Sequence, residues 1–338
     1  MYVDVALDSI ITYAITVGAS DIHFDPILNG IQVRLRIDGL LTEYMLVDAT
    51  DADMLVNRIK VFSGMDISEK RLPQDGRWEW SVKSYAVTMR VSSLPSLYGE
   101  AIVCRLMGNE GVHKNLLELG MDVELQEKIA ALLKRPYGLI TICGPTGSGK
   151  TATLYAMLRM LNLKETKLIC LEDPVEATIE GAIQIGINEK IGLTFSKGLR
   201  TVLRQDPDSI MIGEIRDNET AQLAVKAALT GHRVITTVHT NTALGVIGRL
   251  VDMGVEPYLL HATLIGSLSQ RLVRRIDSTT HSYQGRLGLF EYLEIPFSDI
   301  DWDHVEQYMF TSLQDSAHLA INSGITTLEE VHRAGILL

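Results

Sequence analysis

The chain has 338 residues, more than one ordinary core organises, so two domains are expected. Apolar residues make up 46 %, ample for burial, and the net charge of −11 argues against a surface built to neutralise nucleic-acid phosphates. No signal peptide opens the chain and its longest apolar helix candidate, Tyr258 to Leu268, is too short for a bilayer, so a soluble intracellular protein is expected. The cysteines Cys104, Cys143 and Cys170 form no C-x-x-C pair and read as buried, reduced thiols.

In chain order, Val3 to Val17 has apolar residues at helical spacing, and Gly18-Ala-Ser20 ends it. Ser20 to Asp25 and Ile31 to Ile37 alternate and read as half-buried strands. Asp38-Gly39 signals a hairpin turn into a third strand, Leu40 to Leu46. Asp51 to Phe62 returns to helical spacing, and Trp78 to Val82, Tyr85 to Val91 and Ala101 to Met107 read as strands. This first segment, 1–107, predicts a small α+β domain. A polar connector at 108–121 leads to a second domain at 122–338, which opens on a helix from Val123 to Lys134.

Within the second domain strands and helices alternate. The strands are Leu139 to Cys143, Lys167 to Leu171, Ser209 to Ile212 and Arg233 to Val238; the helices are Leu154 to Leu163, Phe195 to Arg204, Thr220 to Leu229 and Ala243 to Met253. Such alternation predicts an α/β fold with a largely parallel sheet that binds ligands at the carboxyl ends of its strands. From Pro257 on the tail reads as mainly helical, with one strand at Leu287 to Leu293.

The stretch that carries chemistry is Gly144, Pro145, Thr146, Gly147, Ser148, Gly149, Lys150 and Thr151, which fits G-x-x-x-x-G-K-[ST] between a strand and a helix. The glycines let backbone N–H groups converge on a polyphosphate, Lys150 reaches the β- and γ-phosphates, and the Thr151 hydroxyl can ligate Mg²⁺. Leu171-Glu172-Asp173-Pro174-Val175-Glu176 and Ser209-Ile-Met-Ile-Gly-Glu214-Ile-Arg216-Asp217 place carboxylates after two strands. Hydrolysis needs a carboxylate to activate water and others to hold hydrated Mg²⁺. Gly213 stands where many NTPases carry aspartate, so metal ligation is assigned to Thr151, water and Glu214. Thr230-Gly231-His232-Arg233 and Thr236-Thr237-Val238-His239-Thr240 bracket a third strand with polar groups suited to a γ-phosphate.

Taken together, GPTGSGKT, LEDPVE, DPDSIMIGEIRD and TGHRVITTVHT resemble the secretion and pilus-assembly ATPase superfamily, the motors of type II secretion, type IV pili and competence pseudopili. The likeness extends through ASDIHFDP, VRLRIDGLL, RLPQDGR and VSSLPSLYGEAIVCRLM, from residue 18 to about 276. It implies a PAS-like N-terminal α+β domain followed by a RecA-like ATPase domain with a helical C-terminal part. By this resemblance Glu176 is the general base, Glu214 the Walker B glutamate, and His239 the group nearest the γ-phosphate, with Glu172 and His232 also at the nucleotide. Arg90 and Arg105 match the arginines that the first domain contributes, and Arg34, Arg36 and Arg77 are weaker candidates.

The resemblance further implies ATP and Mg²⁺, a homohexamer, and a membrane platform protein as partner. The protein is then expected in the cytoplasm at the inner face of the membrane, associated through partners, with no direct nucleic-acid contact. Three departures refine it. No four-cysteine module follows QRLVRR, so zinc is not expected; the chain begins close to the SDIH segment, without the extra docking domain of secretion and pilus-extension members; and nothing like the AIRNLIRE of retraction motors occurs in Asp299 to Leu338. This compact form is most similar to the competence-pilus ATPase of Gram-positive bacteria, with a type II secretion or pilus-extension ATPase as the alternative. A nucleic-acid translocase and a nucleotide-gated, non-hydrolysing scaffold are the readings from other classes.

Overall fold

In the computed structural model, the described residues are 2–82, 85–107, 111–296 and 300–338, with side chains from residue 4. Positions 108–110 of the polar connector and Asp299 lie outside them. The chain divides into two compact units, 1–110 and 111–338.

The first unit runs α1 (Tyr2–Thr16), β1 (Ala19–Ile27), β2 (Gly30–Ile37), β3 (Leu40–Asp48), α2 (Ala49–Phe62), β4 (Gln74–Val82), β5 (Tyr85–Ser96) and β6 (Gly99–Met107). Its antiparallel sheet has the order β3-β2-β1-β6-β5-β4. The β2–β3 turn is Asp38-Gly39, with φ of 49° and 86°, the left-handed pair that matches the strand twist. On α1, Leu7, Ile10, Ile11 and Ala14 are buried at helical spacing. They join the inward residues of α2 and the sheet, among them Ile22, Phe24, Val33, Leu35, Trp78, Met89, Val91 and Cys104. Opposite that core, alternate strand positions carry Arg77, Arg90 and Arg105.

The second unit begins with 111–121, where Val112, Leu116, Leu119 and Met121 are buried in its core. Then follow α3 (Val123–Leu133), β7 (Gly138–Cys143), α4 (Lys150–Arg159), β8 (Leu168–Glu172), β9 (Ile183–Gly186), α5 (Phe195–Val202), β10 (Ser209–Ile212), α6 (Asn218–Leu229) and β11 (Arg233–Val238). The remainder is α7 (Gly245–Asp252), α8 (Pro257–Thr263), β12 (Leu264–Ile276), β13 (Tyr283–Glu294), β14 (Met309–Thr311), α9 (Leu313–Asn322) and α10 (Leu328–Arg333). The sheet order is β14-β13-β12-β7-β11-β10-β8-β9, parallel from β12 to β9 and antiparallel at β13 and β14. β7, β8, β10 and β11 are buried along their whole length, as strands covered on both faces must be, and so are rich in apolar and β-branched residues without strict alternation.

The tail departs from the helical expectation after Pro257. The helix there ends at Thr263, and Leu264–Ile276 is a strand beside β7 with β13 on its other edge. Its first half is paired on both edges, with β7 over Leu264–Ser269 and with β13 from Gly266 on, and that tertiary gain overrides its local helix tendency. β9 is a short strand that the sequence does not announce, because a four-residue edge carries no period. The three cysteines are free and buried, and burial pushes the Cys104 thiol up to about 12.

Candidate active site

Strand register gathers the site. In the parallel sheet Leu171 lies beside Ile212, Ile212 beside Thr236, and Val238 and Ser269 beside Cys143. The residues that follow, Glu172, Gly213-Glu214, His239, Gly144 and Gln270, therefore emerge along one edge of the sheet, the carboxyl edge.

The loop after β7 is shaped for close backbone approach. Gly144, Gly147 and Gly149 have φ of 145°, 77° and 87°, which only glycine adopts without strain. A Cβ at Gly144 would meet Ser148 Oγ at 2.5 Å and Gln270 O at 2.6 Å, while one at Gly147 would stand in open space. Among α3, α5, α6, α9 and α10, every N-cap is a side chain that accepts a backbone N–H, from Asp122 on α3 to Thr327 on α10. α4, like α2, α7 and α8, has no side-chain cap, and it alone among these has a left-handed glycine, Gly149, at the cap. The free N–H groups and the positive end of the helix dipole are left for an anion.

Two side chains fit the same occupant. Ser148 Oγ is buried with no partner among the described residues. Lys150 is 9 % exposed, and its Nζ donates to the carbonyl oxygens of Gly144 at 2.9 Å and Pro145 at 3.0 Å. Burial holds its pKa below the usual lysine value, against the pull of the nearby Glu214 carboxylate. A buried ammonium resting on neutral carbonyls gains from a polyphosphate, so the residues fit a nucleotide's phosphates. Thr151 is exposed in the first turn of α4. Among the described residues no three His, Cys, Asp or Glu side chains converge as a metal site. A cation held at Thr151 and Glu214 would therefore complete its shell with phosphate oxygens and water, as Mg²⁺ characteristically does.

Glu214 follows β10 in a turn that its neighbours clamp. Gly213 N donates to Leu171 O at 2.8 Å, and Thr237 Oγ1 donates to Gly213 O at 2.6 Å. A Cβ at Gly213 would lie 3.2 Å from Leu171 O, so a glycine suits this approach. The Glu214 carboxylate takes one oxygen to Arg216 and the other to His239 Nε2 at 3.2 Å, and Arg216 also reaches Asp173 at 3.8 Å. His239 is half exposed beside it. The structure thus brings Lys150, Glu214 and His239 to one edge, with Glu176 exposed on the loop after β8.

Glu172 is placed differently from a ligand at the nucleotide. It is 3 % exposed, accepts the Tyr155 hydroxyl on one oxygen and Gln184 Nε2 at 3.0 Å on the other, and burial raises its pKa. His232 is a correction. It precedes β11, its backbone carbonyl receives Gly138 N at 3.1 Å, and its Nδ1 faces Ala227 O at 3.0 Å. Six parallel residues at about 3.3 Å each separate this end from the phosphate loop, roughly 20 Å, so His232 caps the far edge of the sheet in its own chain. Sequence proximity to the motif misled because one strand carries polar groups at both ends.

In the first unit Arg77, Arg90 and Arg105 stand opposite one another across β4, β5 and β6, and Asp21 of β1 is opposite both Arg105 and Arg36 of β2. Asp21 receives Arg105 Nε at 2.8 Å, although the Arg105 side chain stays 65 % exposed. Arg34 pairs with Asp25 at 2.8 Å, the solvated ion pair of an ordinary strand face. Like charges directly opposite are unfavourable; Glu79 offsets Arg77 at 3.4 Å and Asp21 offsets Arg105, and the row keeps its positive charge on the solvent face. Glu100 is not their partner: it accepts Lys60 Nζ and Ser93 Oγ, each at 2.8 Å, inside the core.

Gln270 is a residue the motif reading misses, because its strand reads as helix. Its Oε1 accepts Thr153 Oγ1 of α4 at 2.7 Å, and its carbonyl lies under Gly144.

A family model described as type II/IV secretion system protein matches residues 2–333. The chain belongs to that family. Type II secretion system protein E of Klebsiella pneumoniae is 49 % identical over 270 residues, which cover 80 % of this chain and 54 % of that one. The chain thus spans about half the length of such relatives. Type II secretion system ATPase E of Vibrio cholerae is 40 % identical over 372 residues, covering 97 % of this chain and 74 % of that one. Among solved structures, the pilus retraction motor PilT with bound ADP is 29 % identical with a TM-score of 0.68, covering 96 % and 95 % of the two chains. The family's α/β architecture is the fold expected from the alternating strands, and its RecA-like second unit is the one implied by the resemblance.

Proposed function

We propose that this chain is an ATP-hydrolysing motor of the type II secretion kind. The observation that carries the reading is the glycine-capped N-terminus of α4, with buried Lys150 as its first residue and the Glu214–His239 pair at neighbouring strand ends. The loop amides and Lys150 hold the β- and γ-phosphates, and the first turn of α4 orients them for in-line attack. Thr151 and Glu214 would hold Mg²⁺, which would supply charge neutralisation at the phosphates. Glu176 accepts the proton of the attacking water, His239 and Glu214 orient the γ-phosphate side, and Arg90 and Arg105 bring positive charge to the leaving phosphoryl oxygens.

The names of the relatives support the type II secretion alternative over the competence reading suggested by the compact form. A homohexamer, a membrane platform partner and a station at the inner face of the membrane belong to this proposal. Among the described residues no helix is long and apolar enough to cross a membrane, in keeping with attachment through a partner. Steady-state ATP turnover by the wild-type chain and by Glu214→Gln tests it. Turnover that falls by about 10²-fold in the variant is expected; a wild-type chain that binds ATP and never releases phosphate would favour the non-hydrolysing scaffold.

A further inference from the structure

The loop that carries Glu176 is held from beneath by a polar network that no part of the hydrolytic scheme uses. Tyr155 lies one turn into α4 after Lys150 and Thr151, on a helix otherwise buried among apolar neighbours, and its side chain is fully buried. Its hydroxyl accepts two backbone N–H groups, those of Glu176 and Ala177, each at 3.2 Å, and donates its proton to Glu172. A phenol has one donor and two acceptor positions, so all three are filled. Gln184 of β9 completes the set: its Nε2 donates to Glu172 Oε1 at 3.0 Å and to Ala177 O at 2.8 Å, while its Oε1 accepts Ile179 N at 2.8 Å. Glu172 itself ends β8, parallel to β9 with Glu172 opposite Gly186.

We infer that Tyr155 is a positioning residue for hydrolysis: with Glu172 and Gln184 it fixes the backbone of Glu176 relative to the helix that bears Lys150 and Thr151. The inference rests on the reading of Glu176 as the general base. Its physical content is that α4 begins at the phosphates and, five residues after Lys150, ends a hydrogen bond on the amide of the base. The phosphate-binding turn and the base are thereby parts of one frame. The buried Glu172 carboxylate does not reach outward because both of its oxygens are spent inside that frame. A misplacement of the base by about 1 Å lowers chemistry by roughly 10²-fold while leaving contacts to the substrate elsewhere intact.

The experiment is a double-mutant cycle in the full chain, Tyr155→Phe with Glu176→Gln, reading kcat, the Kd for ATP, the melting temperature, and amide hydrogen exchange at Glu176 and Ala177. Tyr155→Phe removes the one oxygen that holds both amides. The expected result is a kcat lowered about 10-fold to 100-fold, an unchanged Kd, and faster exchange at the two amides. In the Glu176→Gln background the same substitution costs no further activity, because its effect passes through the base. Where Tyr155→Phe does not yield folded protein, Gln184→Met removes the other side-chain contacts to the loop, those at Ala177 O and Ile179 N, and is read in the same way. Wild-type kcat in Tyr155→Phe with a slow Glu176→Gln enzyme overturns the inference and leaves the base assignment standing. Full activity in Glu176→Gln alone overturns the base assignment itself. A lowered melting temperature with unchanged kcat overturns the inference in favour of a purely structural network.

Discussion

Lys150 donates to two carbonyl oxygens of its own loop and is almost fully buried, with its pKa held below the ordinary lysine value by that burial. The ammonium is therefore desolvated before substrate arrives, and phosphate oxygens replace weak acceptors with charged ones. Lys150→Ala is expected to lose most ATP affinity and turnover, measured by titration with a fluorescent nucleotide and by phosphate release; ordinary affinity in the variant contradicts the role. The placement of Lys150, Glu214 and His239 at the carboxyl edge was legible in the sequence, because Lys150 opens the helix after a glycine-rich loop and Glu214 and His239 follow the strand runs of β10 and β11. Tyr155 and Gln270 were not, since a tyrosine on an apolar helix and a glutamine in an apolar run show their partners only after folding. His232 misled for a related reason, because a strand end carries no label saying which edge of the sheet it occupies.

Elements extend the same lesson. β7, β10 and β11 announce themselves as short runs rich in apolar and β-branched residues between helical patterns, so the parallel core was readable. β12 was not, because what makes it a strand is β7 on one edge and β13 on the other. Its far end is tied down by charge: Glu330 of α10, 2 % exposed, accepts Arg274 of β12 and Arg333, and Thr326 Oγ1 donates to Arg274 O at 2.9 Å. Although burial alone would raise it, the two guanidinium groups hold the Glu330 carboxyl at about 2, below the ordinary 4.5. A carboxylate with a depressed folded pKa stabilises the fold above its unfolded pKa and loses that contribution as pH falls through the folded value. The difference amounts to about 3 kcal/mol at neutral pH. Glu330→Gln is expected to lower the melting temperature at pH 7, with the gap to wild type closing between pH 4.5 and 2; a gap independent of pH contradicts the ion-pair account.

At the scale of the molecule the phosphate loop, Glu176, Glu214 and His239 belong to the unit at 111–338, whereas Arg90 and Arg105 belong to the unit at 1–110. Arg90 and Arg105, in register across β5 and β6, are proposed to stabilise the charge of a transferring phosphoryl group. Arg90→Ala and Arg105→Ala are expected to keep ATP binding and lose on the order of 10³-fold in turnover. In mixtures with wild-type chains a more than proportional fall indicates coupled copies, as a ring requires, and a linear fall indicates independent ones. The central claim, that this site hydrolyses ATP with Glu176 as its base, is tested most directly by single-turnover hydrolysis of ATP by wild type and Glu176→Gln, with nucleotide binding measured on the same samples. The account predicts equal binding and a chemical step slowed by roughly 10²-fold or more in the variant. Hydrolysis by Glu176→Gln at the wild-type rate would contradict it.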